Sequence, residues 1–362
     1  MRNFFIVLMC LGVVVSTGQW FMYRTAFADL TKTWTLVFFI LPPIIFSLTN
    51  GYVNALPRPI IRGLAWVSGL WFAYFYYSVI LLVIFALTWL VGKIGGFDQL
   101  VHYVPKFGLC FIILLIAVGW WRAGHRVYRE ETYVTDKKIA RPFTIAFVSD
   151  IHLGALYGYD SAMSMVNMIN EAHPDLVLIG GDIVDGNLAF VEKEKSLETF
   201  TKLQAPLGVY AVYGNHDVMR GTADQENEAL EKVGVHFINN ESINIGEHIA
   251  ITGLDDFMRS QNSYNFEAAA KDKLDIFMEH QPRSIQKAAD KGYDLYFAGH
   301  THAGQFYPNR ELTKRMYLLD YGSKMFNHML ATVSCGYGLW GVPIRLGPAP
   351  EVVIVKVQSN KE

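Results

Sequence analysis

Five short clusters of oxygen and imidazole donors lie between residues 150 and 302: Asp150-Ile151-His152, Gly181-Asp182-Ile183-Val184-Asp185, Gly214-Asn215-His216-Asp217, His280, and Gly299-His300-Thr301-His302. Their candidate ligands are Asp150, His152, Asp182, Asn215, His280, His300 and His302. Carboxylates, an amide oxygen and imidazoles suit two divalent ions from the group Mn, Fe, Zn or Ni, with Mn favoured, better than a purely hard ion such as Ca. Taken one at a time, an Asp-x-His pair arises by chance and Gly-Asp-x-x-Asp is mostly a turn. The weight comes from all five in order, each placed near a short apolar run. The chemistry this mixture supports is a two-metal attack on a phosphate ester.

Such donors converge only if strands deliver them to one edge. Three apolar runs lead into ligands: Ala146-Phe147-Val148 before Asp150, Val177-Leu178-Ile179 before Asp182, and Tyr296-Phe297-Ala298 before His300. Val209 to Tyr213 precedes Asn215 in the same way. Loops at the carboxyl ends of strands in an α/β sheet form a shared crevice, where such folds bind ligands. The pattern predicts strands at Phe143 to Val148, Leu176 to Ile179, Val209 to Tyr213, Val235 to Ile238, Ile249 to Thr252, Leu295 to Ala298, Leu330 to Ser334 and Val352 to Val357. Helical stretches are expected at Ser161 to Ala172, Leu197 to Leu203 and Gln225 to Val233. His280 sits in the unspecific context Met278-Glu279-His280-Gln281-Pro282, with His248 as its competitor. His173, His236 and His328 read as structural histidines.

These blocks resemble the calcineurin-like metallophosphoesterases, whose pattern is Asp-x-His, Gly-Asp-x-x-Asp, Gly-Asn-His-Asp/Glu, a lone His and Gly-His-x-His. The resemblance covers roughly residues 143–357 and is nearest to the membrane-associated bacterial branch, with further likeness at Gln305 and at Gly336 to Pro350. It implies a four-layer α/β/β/α sandwich. It also implies that Asp150, His152 and His302 hold one metal, Asn215, His280 and His300 the other, and that Asp182 bridges them. Two cations ~3.5–4 Å apart each bind a phosphate oxygen and share a hydroxide that attacks phosphorus in line. His216, beside Asn215, would protonate the leaving group or stabilise the transition state, and Asp217 would orient His216 through a hydrogen bond. Asp185 would sit behind the ligands. Asp255 and Asp256 follow a strand and are candidates to line the site, and Arg345 is a candidate to meet a substrate phosphate.

The 362 residues suit two or three domains, and 52% of them are hydrophobic. That apolar excess is localised. Residues 1–121 carry seven Lys/Arg against two Asp/Glu, a formal +5, while the remainder carries 24 against 31, a formal −7. Neither the overall charge nor its distribution favours nucleic-acid binding. The three cysteines, Cys10, Cys110 and Cys335, match no zinc spacing and suggest no disulfide framework. Phe4 to Trp20, Thr33 to Tyr52, Leu64 to Val91 and Val104 to Gly124 read as four transmembrane helices, since crossing a bilayer takes ~20 apolar residues. A cleaved signal peptide fits less well, because Ala26-Phe27-Ala28 lies far beyond the apolar core. Residues 1–124 are thus expected to be an anchor, 125–141 a basic juxtamembrane linker, and 142–362 the catalytic domain. The excess of Lys and Arg on the side of both termini places that domain in the cytoplasm, at a bacterial inner membrane, by the positive-inside rule. Arg122 to Arg141 is either a topogenic signal or a collar for anionic headgroups.

The expectation is a membrane-anchored hydrolase of a phosphodiester, phosphomonoester or pyrophosphate. Its substrate would be held at the bilayer, with a UDP-diacylglucosamine-type pyrophosphate named by the resemblance and membrane lipids as partners. The rivals are a catalytically silent metal-binding sensor or scaffold, a protein phosphatase, and a transporter. The last is disfavoured because Lys106 and Arg122 stand near the ends of the fourth span and the spans hold no other Asp, Glu, Lys or Arg of the kind that marks an ion path.

Overall fold

The computed structural model describes residues 2–27, 30, 32–51, 56–96, 98–185, 188–219, 221–259, 266–267, 270 and 272–360. The chain divides into two units, Met1–Trp121 with Gly341–Ile344, and Arg122–Trp340 with Arg345–Glu362.

The first unit is helical: α1 (Arg2–Arg24), α2 (Val37–Gly51), α3 (Arg58–Gly95) and α4 (Asp98–Gly124). Arg58–Gly95 and Val101–Gly124 are long and apolar enough to cross a membrane by length and composition. Helix α2 has 15 residues, fewer than the ~20 a crossing takes, and keeps Pro42 and Pro43 inside it. Two polar pairs tie α1 to α3 and to the turn before α2: Gln19 Nε2 donates to Ser78 Oγ at 2.5 Å, and Trp20 Nε1 to Thr35 Oγ1 at 2.9 Å. In an apolar surrounding such bonds satisfy groups that otherwise have no partner.

The second unit is built on two six-stranded sheets. The first has the order β1 (Val127–Thr135), β12 (Glu351–Ser359), β2 (Phe143–Val148), β3 (Leu176–Ile179), β4 (Val209–Ala211) and β5 (His236–Phe237). The second runs β10 (Gly322–Phe326), β11 (Met329–Val333), β9 (Leu295–Ala298), β8 (Leu274–Met278), β7 (Ile249–Gly253) and β6 (Glu241–Ile245). Side chains alternate across a strand, so one strand feeds two layers. In β2, Ile145 and Phe147 join Leu178, Ile251, Ile276, Phe297 and Val355 between the sheets, whereas Ala146 and Val148 face α5 (Tyr159–Glu171) through Met165, Val166 and Ile169. Helices α6 (Leu188–Lys193), α7 (Asn215–Met219) and α8 (Ala223–Glu231) follow on the first sheet's side of the chain. Beyond the second sheet, α9 (Ile285–Asp290) packs Ile285, Ala288 and Ala289 against Phe277, Tyr296 and Met329, and α10 (Arg310–Met316) follows β9. The layers are therefore helix, sheet, sheet, helix. Strands β2, β3 and β4 are mutually parallel, as are β7, β8 and β9, so each sheet sends several carboxyl ends to one edge.

The expected linker at 125–141 is corrected. Val127–Thr135 is a strand paired in parallel with β12 over its whole length. Its charges are spent on protein partners: Arg129 Nε lies 3.1 Å from Glu351 Oε2 and Lys137 Nζ 2.8 Å from Asp294 Oδ2, and Arg141 pairs with Asp175. Arg129, Glu131, Tyr133 and Thr135 alternate towards the protein while Tyr128, Thr132 and Val134 face outward, and these aromatic and β-branched residues suit a pleated strand, which outweighed the appearance of a solvated basic run.

Candidate metal centre

The loops leaving β2 and β3 run side by side. Asp150 N donates to Gly181 O at 3.0 Å, His152 N to Asp182 O at 3.0 Å, and Leu153 N to Ile183 O at 2.8 Å. The site residues pay for this in backbone conformation: Asp150, His152, Asp182, His300 and His302 adopt φ of 53°, 51°, 52°, 70° and 48°. Positive φ on non-glycine residues is sparsely populated and persists where surroundings over-determine it. Two glycines permit the crowding. A Cβ on Gly299 would lie 1.9 Å from Ser149 Oγ, and one on Gly214 2.1 Å from Asp182 Oδ1.

Seven side chains converge. His152 Nε2 faces His302 Nε2 at 3.1 Å, and His302 Nε2 lies 3.4 Å from Asp150 Oδ1. On the other side, His280 Nε2 is 3.2 Å from Asp182 Oδ2, 3.1 Å from Asn215 Oδ1 and 3.3 Å from His300 Nδ1. Asp182 Oδ2 also stands 3.9 Å from His152 Nε2, between the two groups. The residues are buried apart from His300, which is partly exposed. Two three-residue sets, Asp150-His152-His302 and Asp150-Asp182-His280, bring their donor atoms within 4.8 Å of one another, and a third, His152-Asp185-His216, does so at the rim.

This donor set fits divalent metal. Atoms bound ~2.0–2.2 Å from one cation lie roughly 3.0–3.5 Å from each other, which matches the spacings within each group. His280 Nδ1 sits 2.7 Å from Gly180 O, so one ring proton belongs there, and a cation bound at Nε2 would take the place of the second proton that Asp182 otherwise holds. Burial pushes the Asp150 carboxyl up and the His302 imidazole well down, with His152 adding to the latter. Burial opposes charge on Asp182 and His280 too, but their mutual contact holds Asp182 well below and His280 well above the ordinary range. Closely spaced acids and imidazoles of this kind are compensated by cations.

His216 stands at the rim with its side chain 15% exposed, and its Nδ1 lies 3.2 Å from Asp185 Oδ1. Burial disfavours its charge, but the Asp185 hydrogen bond overrides this and raises the pKa to about 9. The partner expected for His216 was Asp217, and this is corrected. Asp217 is buried, and its two oxygens accept from Asp182 N and Gly214 N at 2.8 Å, Ile183 N at 3.0 Å and Val184 N at 3.3 Å. It joins the loop after β3 to the turn after β4. Behind it, Glu226 is buried and its carboxyl is driven well up, first by burial and then by Asp217.

Arg345 is also corrected. It is fully buried and donates to the carbonyls of His302, Cys335 and Gly336, so it braces the His302 loop and does not meet substrate. Gln305 is buried and holds Trp340 by both its amide atoms. Asp256 accepts from Gln281 Nε2 at 2.8 Å, beside His280, and Asp255 lies 3.8 Å from Arg259 Nε; neither joins the two donor sets. His280 follows strand β8, which was not foreseen. Glu226, Ser149 and Trp340 were missed as well. Glu226 had a signal, an acid on the Ala223-Glu226-Leu230 face of α8 that is otherwise apolar.

Comparison with known proteins agrees with this geometry. Residues 143–304 match the calcineurin-like phosphoesterase family model. An uncharacterized metallophosphoesterase of Helicobacter pylori is 30% identical over 256 residues, covering 67% of this chain and 67% of that protein. One from Aquifex aeolicus is 30% identical over 222 residues, 59% of this chain and 84% of that protein. A transmembrane protein with metallophosphoesterase domain from Danio rerio is 29% identical over 235 residues, 59% of this chain and 53% of that protein. The ordered donor blocks, the paired sheets that deliver them and these likenesses place the chain in the calcineurin-like metallophosphoesterase family, whose members hydrolyse phosphoric esters.

Proposed function

We propose that this is a membrane-anchored phosphoesterase with a dinuclear centre, acting on a phosphodiester, phosphomonoester or pyrophosphate held at the bilayer. The observation that carries the reading is the meeting of two donor groups across Asp182, with the His216–Asp185 pair at their rim. Asp150, His152 and His302 would hold one ion, and Asn215, His280 and His300 the other, with Asp182 between; Mn is the favoured metal. When bound, such ions neutralise phosphoryl oxygens and lower the pKa of water enough to supply a nucleophile near neutral pH.

The chain's own groups do the rest. His216, held protonated by Asp185, is placed to give a proton to the departing oxygen. Asp217 keeps Asp182 and Asn215 in register by joining their loops. The intact His216–Asp185 pair favours an enzyme over a silent sensor.

The anchor reading adds four spans, both termini cytoplasmic, over residues 1–124. It is supported by the length of α3 and α4 and by the large apolar side chains they expose, among them Val83, Leu87, Ile94, Phe107, Phe111 and Trp121. Faces of that size left uncovered mark a lipid or protein contact. A lipid-linked phosphodiester or pyrophosphate is the substrate class this favours.

The test is hydrolysis of bis-p-nitrophenyl phosphate by detergent-purified protein with Mn²⁺ and then EDTA, beside Asn215→Ala and His216→Ala. Metal-dependent turnover lost in both variants supports the reading. Bound metal without turnover of any soluble or lipid diester overturns it. Turnover of soluble diesters alone would remove the lipid part only.

A further inference from the structure

We propose that Trp340 is a specificity-determining residue that packs against an apolar or aromatic body on the leaving group. The proposal deepens the phosphoesterase reading and rests on it. The His216 ring is flanked on two sides: His152 meets it edge-on at 5.0 Å and 89°, and Trp340 at 5.9 Å and 60°. One neighbour belongs to the donor set and the other is a large indole that is 51% exposed. The group assigned to protonate the departing oxygen thus stands between the metal ligands and Trp340. Whatever is attached to that oxygen emerges beside the indole.

The exposure of Trp340 is not that of a loose loop. Trp340 N donates to Gln305 Oε1 at 3.0 Å, and Gln305 Nε2 donates to Trp340 O at 3.2 Å. Gln305 is itself 5% exposed and follows the His302 turn, with its own backbone at φ 56°. Leu339, the preceding residue, is 2% exposed. The backbone is therefore fixed by the same turn that presents His302, while about half of the residue's surface is left uncovered. A rigid aromatic presented at a site rim offers contact area at small entropic cost, which is how Trp serves recognition. An aryl or base ring would stack on it and a hydrocarbon chain would lie along it. The shared chemistry is an apolar surface on the ester's departing side.

The experiment is calorimetric binding to the Mn²⁺-loaded full chain of inorganic phosphate, phenylphosphonate and butylphosphonate, for wild type, Trp340→Ala and Trp340→Phe. Trp340→Ala is expected to weaken phenylphosphonate about tenfold, or 1.4 kcal/mol, and to leave phosphate within about twofold. Trp340→Phe should recover most of the loss. An equal loss for butylphosphonate assigns a hydrocarbon contact, and a loss confined to phenylphosphonate assigns ring stacking. If phosphate weakens alongside phenylphosphonate, Trp340 only supports the site and the proposal is overturned. It is equally overturned if neither weakens. If wild type binds no phosphate with metal loaded, the phosphoesterase reading itself fails and this inference falls with it.

Discussion

Replacing Gly214 by alanine isolates how closely the two ligand loops must approach. The added Cβ would stand 2.1 Å from Asp182 Oδ1, 2.4 Å from Asp182 N and 2.7 Å from its Cγ, where ordinary contact begins at 3.4 Å. One of the atoms met is backbone, so a new Asp182 rotamer does not relieve the clash, and the loops must part by about 1 Å. Asp182 is also fixed by Asp217, which accepts from its N–H, and by His216 N, which donates to its Oδ1 at 2.8 Å. Overpacking of this kind costs ~1–3 kcal/mol of stability. A displacement of ~1 Å at a reacting centre costs on the order of 10²-fold in rate. Gly292→Ala is the matched control: at φ 87° with nothing within 4 Å, it meets only backbone strain, ~1–2 kcal/mol, away from the donors. Thermal melts, metal per chain by elemental analysis and bis-p-nitrophenyl phosphate turnover would be read on both variants. The expected result is similar melting losses, with metal occupancy and rate lost only in Gly214→Ala. A Gly214→Ala protein that keeps two metals and the wild-type rate would refute the reasoning, because Asp182 would then tolerate the displacement the geometry forbids.

The two carboxylates near His216 should separate cleanly: Asp185→Asn lowers kcat ~10²-fold or more with metal retained, as loss of a proton donor's partner predicts, whereas Asp217→Asn lowers metal content and melting temperature, because two buried N–H groups lose an acceptor at ~1–3 kcal/mol each. Arg345→Met should cost ~3 kcal/mol or more and reduce folded yield, since three carbonyls lose a buried donor; a variant that folds normally and shows only a raised KM would restore Arg345 to the substrate. Asp275 tests a pH effect away from the centre. Burial, then Asp294, raises its carboxyl from 3.8 to about 6 against the pull of Lys137, so the folded state binds its proton more tightly and stability falls as pH rises through that interval. Asp275→Asn should therefore match wild type near pH 4 and exceed it by about 2 kcal/mol at pH 7.5 in chemical denaturation, whereas a less stable variant at pH 7.5 would mean that the Lys137 ion pair outweighs burial.

What could be read in advance was what single residues at strand ends announce. Asp150, Asp182 and His300 each follow an apolar run after only Ser149, Gly180-Gly181 and Gly299, so type and position point the same way. His280 competes with His248 in the sequence and takes its role from the family resemblance, because charged Asp275 sits inside the run Leu274-Asp275-Ile276-Phe277-Met278 and disguises β8; the inward set Leu274, Ile276 and Met278 was the period-two signal. Strand β1 was hidden for a similar reason. Arg129, Glu130 and Glu131 look solvated in one dimension, and only the pairing of Arg129 with Glu351, 222 residues on, gives that charge a buried partner. The role of Asp217 was illegible because adjacency in sequence suggested His216, while the turn of α7 points its carboxylate back to Gly214 and across to Asp182. Arg345 misled through its charge: an arginine surrounded by carbonyls is a brace, and no local pattern distinguishes it from an anion binder.

The same comparison explains why strain gathers where the donors are. Five of the proposed ligands occupy positive φ, a cost of order 1–3 kcal/mol each for non-glycine residues. Nothing local in an aspartate or histidine favours that state. It is held instead by contacts that link one ligand loop to the next: Asp150 N to Gly181 O, His152 N to Asp182 O, Gly299 N to His280 O at 2.9 Å, and the four N–H groups gathered by Asp217. Each loop is strained alone and satisfied only when its neighbour is in place, so the donor geometry is a property of the assembled sheets and not of any motif. That arrangement fixes side chains within the narrow tolerance a metal-binding site requires. It also carries a displacement of one ligand loop to its neighbours, which is why Gly214→Ala is distinguished from Gly292→Ala by metal content and not by melting loss.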